Sequence, residues 1–583
     1  MNISTIDWTI IFAFFAVTML LGLWASKQAG KSSQDFFLSG RNMPWWLLGV
    51  SMVATTFSAD TPNLVTDIVR KNGVAGNWVW WAFLLTGMTT VFIYAKLWRR
   101  SGINTDLEFY ELRYSGKEAS FLRGFRAIYL GVFFNVMIMA TVLLAGNKIS
   151  GIMLGLSPEQ TVLLVGLVTV VYSSLGGLRG VILTDFFQFA LSMTGMIIAA
   201  IYIVNLPEIG GMSNLISHPN VSGKIDFLPD FSNPEVAVPL FFIPIAVQWW
   251  SAWYPGAEPG GGGYVAQRML SAKNEKDAQR ATLFFTVAHY ALRPWPWILI
   301  ALASLIIFPE VADIKNSFPG LSENILGDDL AFPAMLTLLP KGLLGLLIAS
   351  LIAALMSTIS THLNWGASYL VNDFYLRFLK PEATEKQKVF FGRISTVVLM
   401  ILAGFMALAL KDALGAFNIL LQIGAGTGLL FLLRWFWHRI NAYSELVAMI
   451  VSFAIAIYFE LIYSGALLAH ERMTIAVVIT TVVWLVATLL TRPTDKATLQ
   501  NFYDKIRPYK AGWKNAVNIE ATKAFDRENE SNLPREIFKV FLGSILVYAA
   551  LFSTGYFLYG DLTKAIVAFI TSLMCGLLLW RIK

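Results

Sequence analysis

The chain consists mainly of long apolar runs that are separated by short polar connections. A helix that crosses a membrane needs roughly 20 mostly apolar residues, and fifteen runs approach that length. The sequence therefore predicts an all-α polytopic membrane protein with about fifteen spans, which we number in chain order. The spans lie at about 8–26, 43–68, 77–98, 124–147, 160–176, 180–205, 236–256, 281–308, 339–366, 389–410, 413–433, 442–464, 472–490, 537–557 and 561–580.

The composition agrees with this pattern. Hydrophobic residues make up 56% of the chain and charged residues only 14%, whereas charged residues average about 25% in globular domains. The single cysteine, Cys575, excludes a disulfide scaffold, and the five histidines include no pair at metal-ligand spacing. The first apolar run, at 8–25, is too long for the apolar region of a cleavable signal peptide.

Basic residues are concentrated in alternate connections. They follow spans one, three, seven and nine, and the stretch 491–535 carries nine basic and six acidic residues, whereas the connection at 309–329 is acidic. Because short cytoplasmic loops are rich in Lys and Arg, we predict a multi-pass protein of the cell (inner) membrane with its N-terminus outside and its C-terminus cytoplasmic. The stretch 491–535 is predicted to be a solvated cytoplasmic linker, and attraction to anionic lipid is the alternative.

Two of the predicted spans contain residues that disfavour a continuous helix. Span two carries the segment ATTFSADTP at 54–62, and span seven runs into YPGAEPGGGG at 254–263. Proline removes a backbone hydrogen bond and clashes with the preceding turn. Unwound backbone at membrane depth is tolerated only where it is buried or lines a cavity, and its free carbonyls can bind a cation. The alternative is that Pro62 merely kinks one helix and that the glycine run is a surface loop.

The two interruptions occupy matching positions of a repeat. Because five spans separate the two starts, the second set of five enters the membrane from the opposite side, and the repeat is inverted. Paired broken helices in an inverted repeat predict a binding site near the membrane midplane. The predicted organisation is an extra N-terminal helix at 1–30, five-helix repeats at 43–205 and 236–434, two peripheral helices at 441–490, the linker at 491–535 and two C-terminal helices at 536–583.

Span nine carries a cluster of small and hydroxyl-bearing residues. Ala354, Ser357 and Thr358 are spaced so that they share one helical face. With the carbonyls of Ala54 and Phe57 they would provide about five oxygens, which suits a monovalent cation because calcium normally demands more carboxylates. The alternative is that the hydroxyls bond their own backbone or a neighbouring helix.

Three motifs are similar to those of a known family. They read GGLRGVILTDFFQ at 176–188, GYVAQRMLSAKNEKDAQRA at 263–281 and AALMSTIS at 353–360. Together they resemble the sodium–solute symporter family, which includes bacterial sugar, proline and sialic acid symporters, and the resemblance covers roughly residues 5–490. It implies the leucine-transporter-type fold with two inverted five-helix repeats, here with one extra helix before them and four after them.

The resemblance also implies a sodium site between spans two and nine. Asp185, in the TDFFQ segment, matches an acidic position that the family links to cation passage or to a second sodium ion. Pairing of Asp185 with Arg179 is the alternative. The implied sodium ligands are the carbonyls of Ala54, Phe57 and Ala354 and the hydroxyls of Ser357 and Thr358.

The match to the substrate pocket of the sugar-carrying members is looser. Their glutamine after the span-two break and their glutamate in the next span fall at Thr61 and near Trp80. His289 stands where they place a lysine, and Gln422 matches a substrate-binding glutamine. The resemblance thus implies four candidate substrate residues.

Three charged residues inside the spans need partners. Asp60 and Glu258 lie at the two helix breaks, and Arg293 lies about 18 Å into span eight. Buried charges must pair or become neutral, so we predict that Arg293 pairs with Glu258 as a structural lock. The alternative is that Arg293 binds a substrate carboxylate, for which a guanidinium is geometrically suited.

These features predict a sodium-coupled secondary active symporter, not an enzyme, that takes up a small polar organic solute such as a sugar by alternating access. Its partners would be that solute, sodium as the coupling ion and the lipid bilayer, with no nucleic acid, and it would be a monomer or a weak oligomer. The alternatives are symport of an organic anion or amino acid, proton coupling through Asp185 or Asp60, and a membrane sensor with a transporter fold. A membrane enzyme is disfavoured because the sequence contains no nucleophile–base pair or metal-spaced set of ligands.

Overall fold

The computed structural model of the protein describes residues 3–29, 31–251, 258–319, 326–410, 424, 426–510, 512–519 and 532–582. The regular elements within these ranges are helices, apart from one isolated bridge between Met43 and Ala272. Ten of these helices are long and apolar enough to cross a membrane: Thr5–Lys27, Val74–Ser101, Gly116–Gly151, Pro158–Val204, Glu275–Ile307, Leu343–Leu379, Glu385–Ala409, Ala469–Leu490, Leu533–Leu558 and Leu562–Arg581. Three shorter apolar helices are Trp45–Thr55, Pro234–Ala246 and Ala442–Ile457.

The all-α architecture predicted from the apolar runs is therefore confirmed. The number of spans, about fifteen, stays a prediction, because most of predicted span eleven lies outside the described residues. Short helices that connect the spans are Ser33–Leu38, Glu108–Arg113, Met212–Ser217, Val311–Ser317, Ala331–Leu336 and Lys496–Ile506.

Predicted spans five and six form one helical run that folds back on itself at Gly177. A straight helix would separate Tyr172 from Asp185 by about 20 Å. Instead, the Tyr172 hydroxyl donates to the Met356 carbonyl at 3.1 Å, and Asp185 accepts a hydrogen bond from the adjacent Ser357 at 2.6 Å. Gly177 makes the reversal possible because its φ is 52° and a Cβ there would lie 2.6 Å from a backbone oxygen. Both predicted spans thus exist as arms of a tight hairpin.

Span two is broken, as its sequence predicts. Its first helix, Trp45–Thr55, ends where Thr56 bonds its own backbone, with its hydroxyl donating to the Val53 carbonyl at 2.9 Å. The second helix, Thr61–Asn72, begins with Pro62 in its first turn, where a missing N–H costs little. The five residues 56–60 between the helices are therefore unwound at the centre of the span.

Span seven is broken as well. Its first helix covers Pro234–Ala246, and its second covers Gly263–Ser271. Within the described part of the intervening segment, Gly260 and Gly261 have φ values of 87° and 91°, which L-residues rarely adopt. The run of glycines thus supplies backbone conformations that a helix cannot contain.

Span nine lies at the centre of the molecule, where it packs against spans one, four, six and ten. In its most apolar stretch 83% of the residues are buried, compared with 33% and 11% in the last two helices. Span one attaches to it through Asp7, whose carboxylate accepts the N–H groups of Gly342 and Gly345 at 2.7 Å each. This contact favours the start of span nine because a helix N-terminus attracts negative charge.

The prediction of a solvated linker is wrong for the helix Lys496–Ile506. Its apolar residues recur at the spacing of one helical face and are buried, together with the nearby Trp513. The Trp513 indole N–H donates to the Trp435 carbonyl at 3.1 Å. The buried residues of this face are Leu499, Phe502, Tyr503 and Ile506.

Candidate functional site

The break in span two lies directly against span nine. The Thr358 hydroxyl donates to the Thr55 carbonyl at 3.0 Å and to the Ala354 carbonyl of its own helix at 3.2 Å. One turn further along, the hydroxyls of Thr55 and Thr361 lie 2.9 Å apart. The Ala54 carbonyl accepts the Phe57 N–H at 3.1 Å. The oxygens at this contact therefore come from the last turn of the helix Trp45–Thr55 on one side and from hydroxyls of span nine on the other.

The neighbouring hydroxyl of span nine points to Asp185. Ser357 donates to one carboxylate oxygen of Asp185 at 2.6 Å, and Ser51 of span two donates to the other at 2.5 Å. Arg268 lies 3.7 Å from the second oxygen and forms an ion pair with it, and all these side chains are buried. The pairing of Asp185 with Arg179 is therefore wrong, because the fold-back at Gly177 directs Asp185 to the bundle interior.

A central polar cluster of five side chains results, and sequence reasoning missed three of its members. Arg268 connects them, since it donates to the hydroxyls of Ser51 at 3.2 Å and of Thr361 at 2.7 Å. The sequence did hold a signal, because Arg268 belongs to the QR motif that carried the family resemblance. The cluster consists of Ser51, Asp185, Arg268, Ser357 and Thr361.

A second group of predicted residues meets at Thr56. The Thr56 hydroxyl lies 3.0 Å from His289 Nδ1 and 3.0 Å from an Arg293 nitrogen. The Trp80 ring lies 5.9 Å from the His289 ring and stacks on Tyr290 at 6.0 Å. The structure thus brings together Trp80, His289 and Arg293, which come from spans three and eight, beside the break in span two.

These side chains adjoin a cavity between spans three, seven and eight. His289 and Tyr290 form one wall, and Glu258 with the glycines that follow it forms another. The remaining lining residues are Phe83, Thr86, Gly87, Thr90, Tyr264, Val265, Thr282 and Phe285. Aromatic faces, hydroxyls, one imidazole and the Glu258 carboxylate surround this space, which is the mixture that polar organic ligands meet in their pockets.

Thr61 and Asp60, two other candidate residues, do not line this cavity. Thr61 starts the second helix of span two with a half-buried side chain. Asp60 is exposed at the end of the break and forms no ion pair with any described residue. Gln422 lies outside the described residues.

The predicted lock between Glu258 and Arg293 is wrong. Glu258 forms a buried ion pair and hydrogen bond with Arg126 of span four instead. Arg126 also lies 3.8 Å from Glu445, and Glu445 lies 3.4 Å from Arg434. The Gly261 N–H donates to the Glu258 carbonyl at 2.9 Å and closes a turn. This turn belongs to the segment that places Glu258 beside span four. Arg126 offered a sequence signal, since it lies just inside the apolar run of span four.

A second carboxylate holds the end of the span-seven break. Asp106, in the connection after span three, accepts the Gly263 N–H at 2.9 Å and the Tyr369 hydroxyl at 2.5 Å. Burial, and to a lesser degree the nearby charge of Glu258, raises the pKa of Asp106 to about 7. This carboxyl therefore changes charge near neutral pH.

The chain matches the sequence model of the sodium:solute symporter family over residues 36–452. The sodium/glucose cotransporter of Vibrio parahaemolyticus is 27% identical, over 79% of this chain and 86% of that protein. The sodium/sialic acid symporter SiaT of Proteus mirabilis is 26% identical, over 77% of this chain and 88% of that protein.

A solved structure has the same fold. It is the substrate-bound outward-open state of a Na⁺-coupled sialic acid symporter, and it aligns with a TM-score of 0.67 and 22% identity over 85% of this chain and 100% of that chain. The leucine-transporter-type fold that the family resemblance implies is thereby confirmed. Because the family model matches most of this chain, the chain belongs to the sodium:solute symporter family and is a sodium-coupled membrane symporter.

Proposed function

We propose that this protein takes up a small polar organic solute, a sugar or a related compound, together with sodium by alternating access. The contact between the Thr55 carbonyl, at the end of the first span-two helix, and the Thr358 hydroxyl carries this proposal, because it gathers cation-binding oxygens at the break of span two. The names of the relatives, which mention glucose and sialic acid, support the solute class. The protein would lie in the cell (inner) membrane with its N-terminus outside.

The proposed sodium site lies between the break and span nine. Its ligands are the carbonyls of Ala54, Phe57 and Ala354 and the hydroxyls of Ser357 and Thr358. Several neutral oxygens without a carboxylate suit an ion that must be released in each cycle. Sodium entering the site would replace the hydrogen bond that Thr358 donates to Thr55.

Asp185 would act as a positioning residue for this site. Because the Ser357 hydroxyl donates its proton to Asp185, the lone pairs of its oxygen remain available to a cation. The ion pair of Asp185 with Arg268 connects this arrangement to the second helix of span seven. A second cation at Asp185, or proton coupling through it, would have to displace Arg268.

Coupling follows if sodium and the solute favour the same conformation. Sodium would hold span two to span nine and so stabilise the state in which the solute cavity is complete. Entry of one positive charge is favoured by about 2.3 kcal/mol per 100 mV of membrane potential. Two ligands that each prefer one state raise each other's affinity to the same extent.

The sodium site can be tested with purified protein and radioactive sodium. Replacement of both hydroxyls, Ser357→Ala with Thr358→Ala, should abolish saturable sodium binding and sodium-dependent uptake. The matched control is Ser544→Ala with Thr554→Ala in span fourteen, whose hydroxyls bond only their own helix at 2.8 and 2.9 Å. Sodium binding that is unchanged in the first double variant would reject the assignment.

The solute class can be determined with a thermal-shift screen. Sugars, sugar acids, amino acids and nucleosides are added to the purified protein in sodium buffer and in choline buffer. A stabilisation that requires sodium is expected for sugars or their derivatives. Stabilisation that is equal in both buffers would contradict sodium-coupled binding.

A further inference from the structure

Arg293 is a buried cation without an acidic partner among the residues that the structure describes. Its side chain is 2% exposed, and it lies midway along the helix Glu275–Ile307. One terminal nitrogen donates to Thr56 at 3.0 Å and to the Val53 carbonyl at 3.3 Å, while Nε has no hydrogen-bond partner among the described residues. In the part of the chain that the structure describes, no carboxylate lies within ion-pair distance of Arg293.

Other deeply buried arginines are neutralised or enclosed in a different way. Arg113 also has no acid within ion-pair distance in the described part of the chain, but its guanidinium contacts three aromatic rings at 5.0–5.4 Å, compared with two rings for Arg293, and donates to two carbonyls. The four arginines that pair with carboxylates are Arg70 with Asp328, Arg126 with Glu258, Arg268 with Asp185 and Arg434 with Glu445. Since an unpaired charge at membrane depth is costly and usually functional, Arg293 requires an explanation.

His289 does not supply the missing negative charge, and it adds no positive charge. Its Nε2 lies 3.4 Å from a terminal nitrogen of Arg293, and its Nδ1 lies 3.0 Å from the Thr56 hydroxyl. A guanidinium only donates, so Nε2 must accept and Nδ1 carries the proton. The Thr56 hydroxyl in turn donates to the Val53 carbonyl at 2.9 Å. These hydrogen bonds of His289 and Thr56 require only a neutral imidazole. The positive charge of Arg293 is therefore not balanced by this network.

We propose that the transported solute carries a carboxylate and that Arg293 binds it beside the break in span two. The proposal rests on the symport function above and narrows its solute class to organic anions such as sugar acids. A carboxylate can accept two parallel hydrogen bonds from a guanidinium, and Nε is free to donate one of them. His289 lines the cavity, and its Nε2 lies 3.4 Å from a terminal nitrogen of Arg293. A solute carboxylate that passes His289 would meet the guanidinium, and Tyr290 of the cavity wall, with Trp80 stacked on it, would cover the remainder of the solute.

The position of Arg293 also connects the anion to sodium. The Phe57 ring, whose residue supplies a proposed sodium ligand, lies 6.0 Å from the guanidinium, and the Trp297 ring lies 5.1 Å from it. A carboxylate bound here would be attracted by both the sodium ion and Arg293. Each ligand would therefore lower the electrostatic cost of binding the other.

The first test uses the wild-type protein and needs no variant. Binding is measured by isothermal titration calorimetry in sodium buffer with matched pairs: glucose and glucuronate, galactose and galacturonate, the methyl ester of N-acetylneuraminate and N-acetylneuraminate, with acetate as the smallest carboxylate. We expect at least one acid to bind 30-fold or more tightly than its neutral parent, the ratio that corresponds to about 2 kcal/mol for a charge-assisted buried contact. A panel in which no carboxylate binds, or in which acids and parents bind alike, overturns the proposal.

The second test assigns the preference to Arg293. Arg293→Gln should lower the affinity for the acid about 30-fold or more, and Arg293→Lys should retain part of it because the charge remains. The control is Arg113→Gln, which removes a buried guanidinium between spans three and four and should leave the acid-to-parent ratio unchanged. Unaltered acid binding in Arg293→Gln contradicts the role of Arg293.

Sodium binding separates this proposal from the proposed function. If the wild-type protein binds no sodium, the sodium site between spans two and nine is wrong, whatever the solute. If sodium binding is intact and neutral sugars are the preferred ligands, only the carboxylate proposal fails. In Arg293→Gln, intact sodium binding also shows that the variant has folded.

Discussion

The two broken helices of this protein are satisfied in different ways. The break of span two, at 56–60, contacts its neighbours through carbonyls and hydroxyls, with Thr55 and Thr56 bonded to span nine and span eight. The break of span seven carries Glu258, which forms a buried ion pair with Arg126. One break therefore leaves neutral oxygens for a ligand, whereas the other is closed by opposite charges.

This difference in partners shows that an interrupted membrane helix is not by itself a binding site. Both breaks interrupt an apolar span, yet their described side chains have different partners. In the sodium site that we propose, hydroxyls and small residues would allow a cation to exchange with hydrogen bonds of modest strength. A carboxylate paired with arginine fixes the chain, because separating two buried charges is costly.

The largest loss of stability should follow from breaking the ion pair between Glu258 of span seven and Arg126. Glu258→Gln leaves Arg126 without its strongest partner, and loss of one member of a buried ion pair costs about 3–5 kcal/mol. We expect the free energy of unfolding, measured by detergent titration, to fall by that amount in both sodium and choline buffer. The reason is that this pair holds the fold and does not bind the ion.

A matched control is Glu385→Gln. Glu385 pairs with Lys388 at 2.7 Å, but its side chain is 47% exposed, so the loss should stay below about 1 kcal/mol. Equal losses in the two variants would contradict the structural role of Glu258. A loss at Glu258 that appears only in sodium would assign the residue to the ion site instead.

A smaller effect is expected from the neutral contacts at the break of span two. Thr361→Val keeps the shape of the side chain but removes the acceptor of an Arg268 N–H and the partner of Thr55. Leaving such buried groups unsatisfied costs about 1–3 kcal/mol, measured as above. Thr571→Val in span fifteen is the control, since that exposed hydroxyl bonds only the Val567 carbonyl at 2.9 Å. A loss no greater than in the control would show that this contact does not hold the break.

The smallest effect is a pH dependence at the end of the span-seven break. Burial raises the pKa of Asp106 from 3.8 to about 7, so the folded protein binds more protons than the unfolded chain between these values. The stability that this carboxyl contributes is thus complete below about pH 4 and is lost as the pH rises through 7.

Asp106→Asn should remove this dependence, because the amide can still accept the Gly263 N–H and donate to Tyr369. Between pH 6 and 7 the wild-type protein should lose up to about 1.4 kcal/mol of stability relative to the variant. The measurement is a series of unfolding titrations at half-unit pH steps. Parallel curves for the two proteins would mean that Asp106 is ionised throughout this range.

The fold could be predicted in large part because its signals are local. Apolar runs of membrane length give the helices, and the polar segment 54–62 and the glycines after Glu258 mark the two breaks. The helix Lys496–Ile506 was missed as a packed element, although its apolar face follows the helical period, because the stretch around it is rich in charge. The sequence predicts two spans with a short connection between 176 and 180, whereas the structure has one helical run that folds back at Gly177.

The sequence predicted several charged residues of the candidate site, but it did not predict the ion pairs that they form. The sequence indicated that Glu258, Arg293 and Asp185 were charges in need of partners, but it could not pair them. Each carboxylate pairs with an arginine of another span: Glu258 with Arg126 and Asp185 with Arg268. Pairing depends on which helices are neighbours and on where the side chains point, and neither is encoded within a single span.

The sequence by itself determined that this chain forms broken membrane helices with a hydroxyl-rich central span, since hydrophobicity, proline and glycine act on the residues around them. The packing of the spans determines which charges neutralise each other, and within the described residues it leaves Arg293 beside Thr56 without an acid. The physical reason is distance: charge pairs and hydrogen bonds act over a few ångströms, and only the packing of spans that are far apart in sequence brings these groups so close.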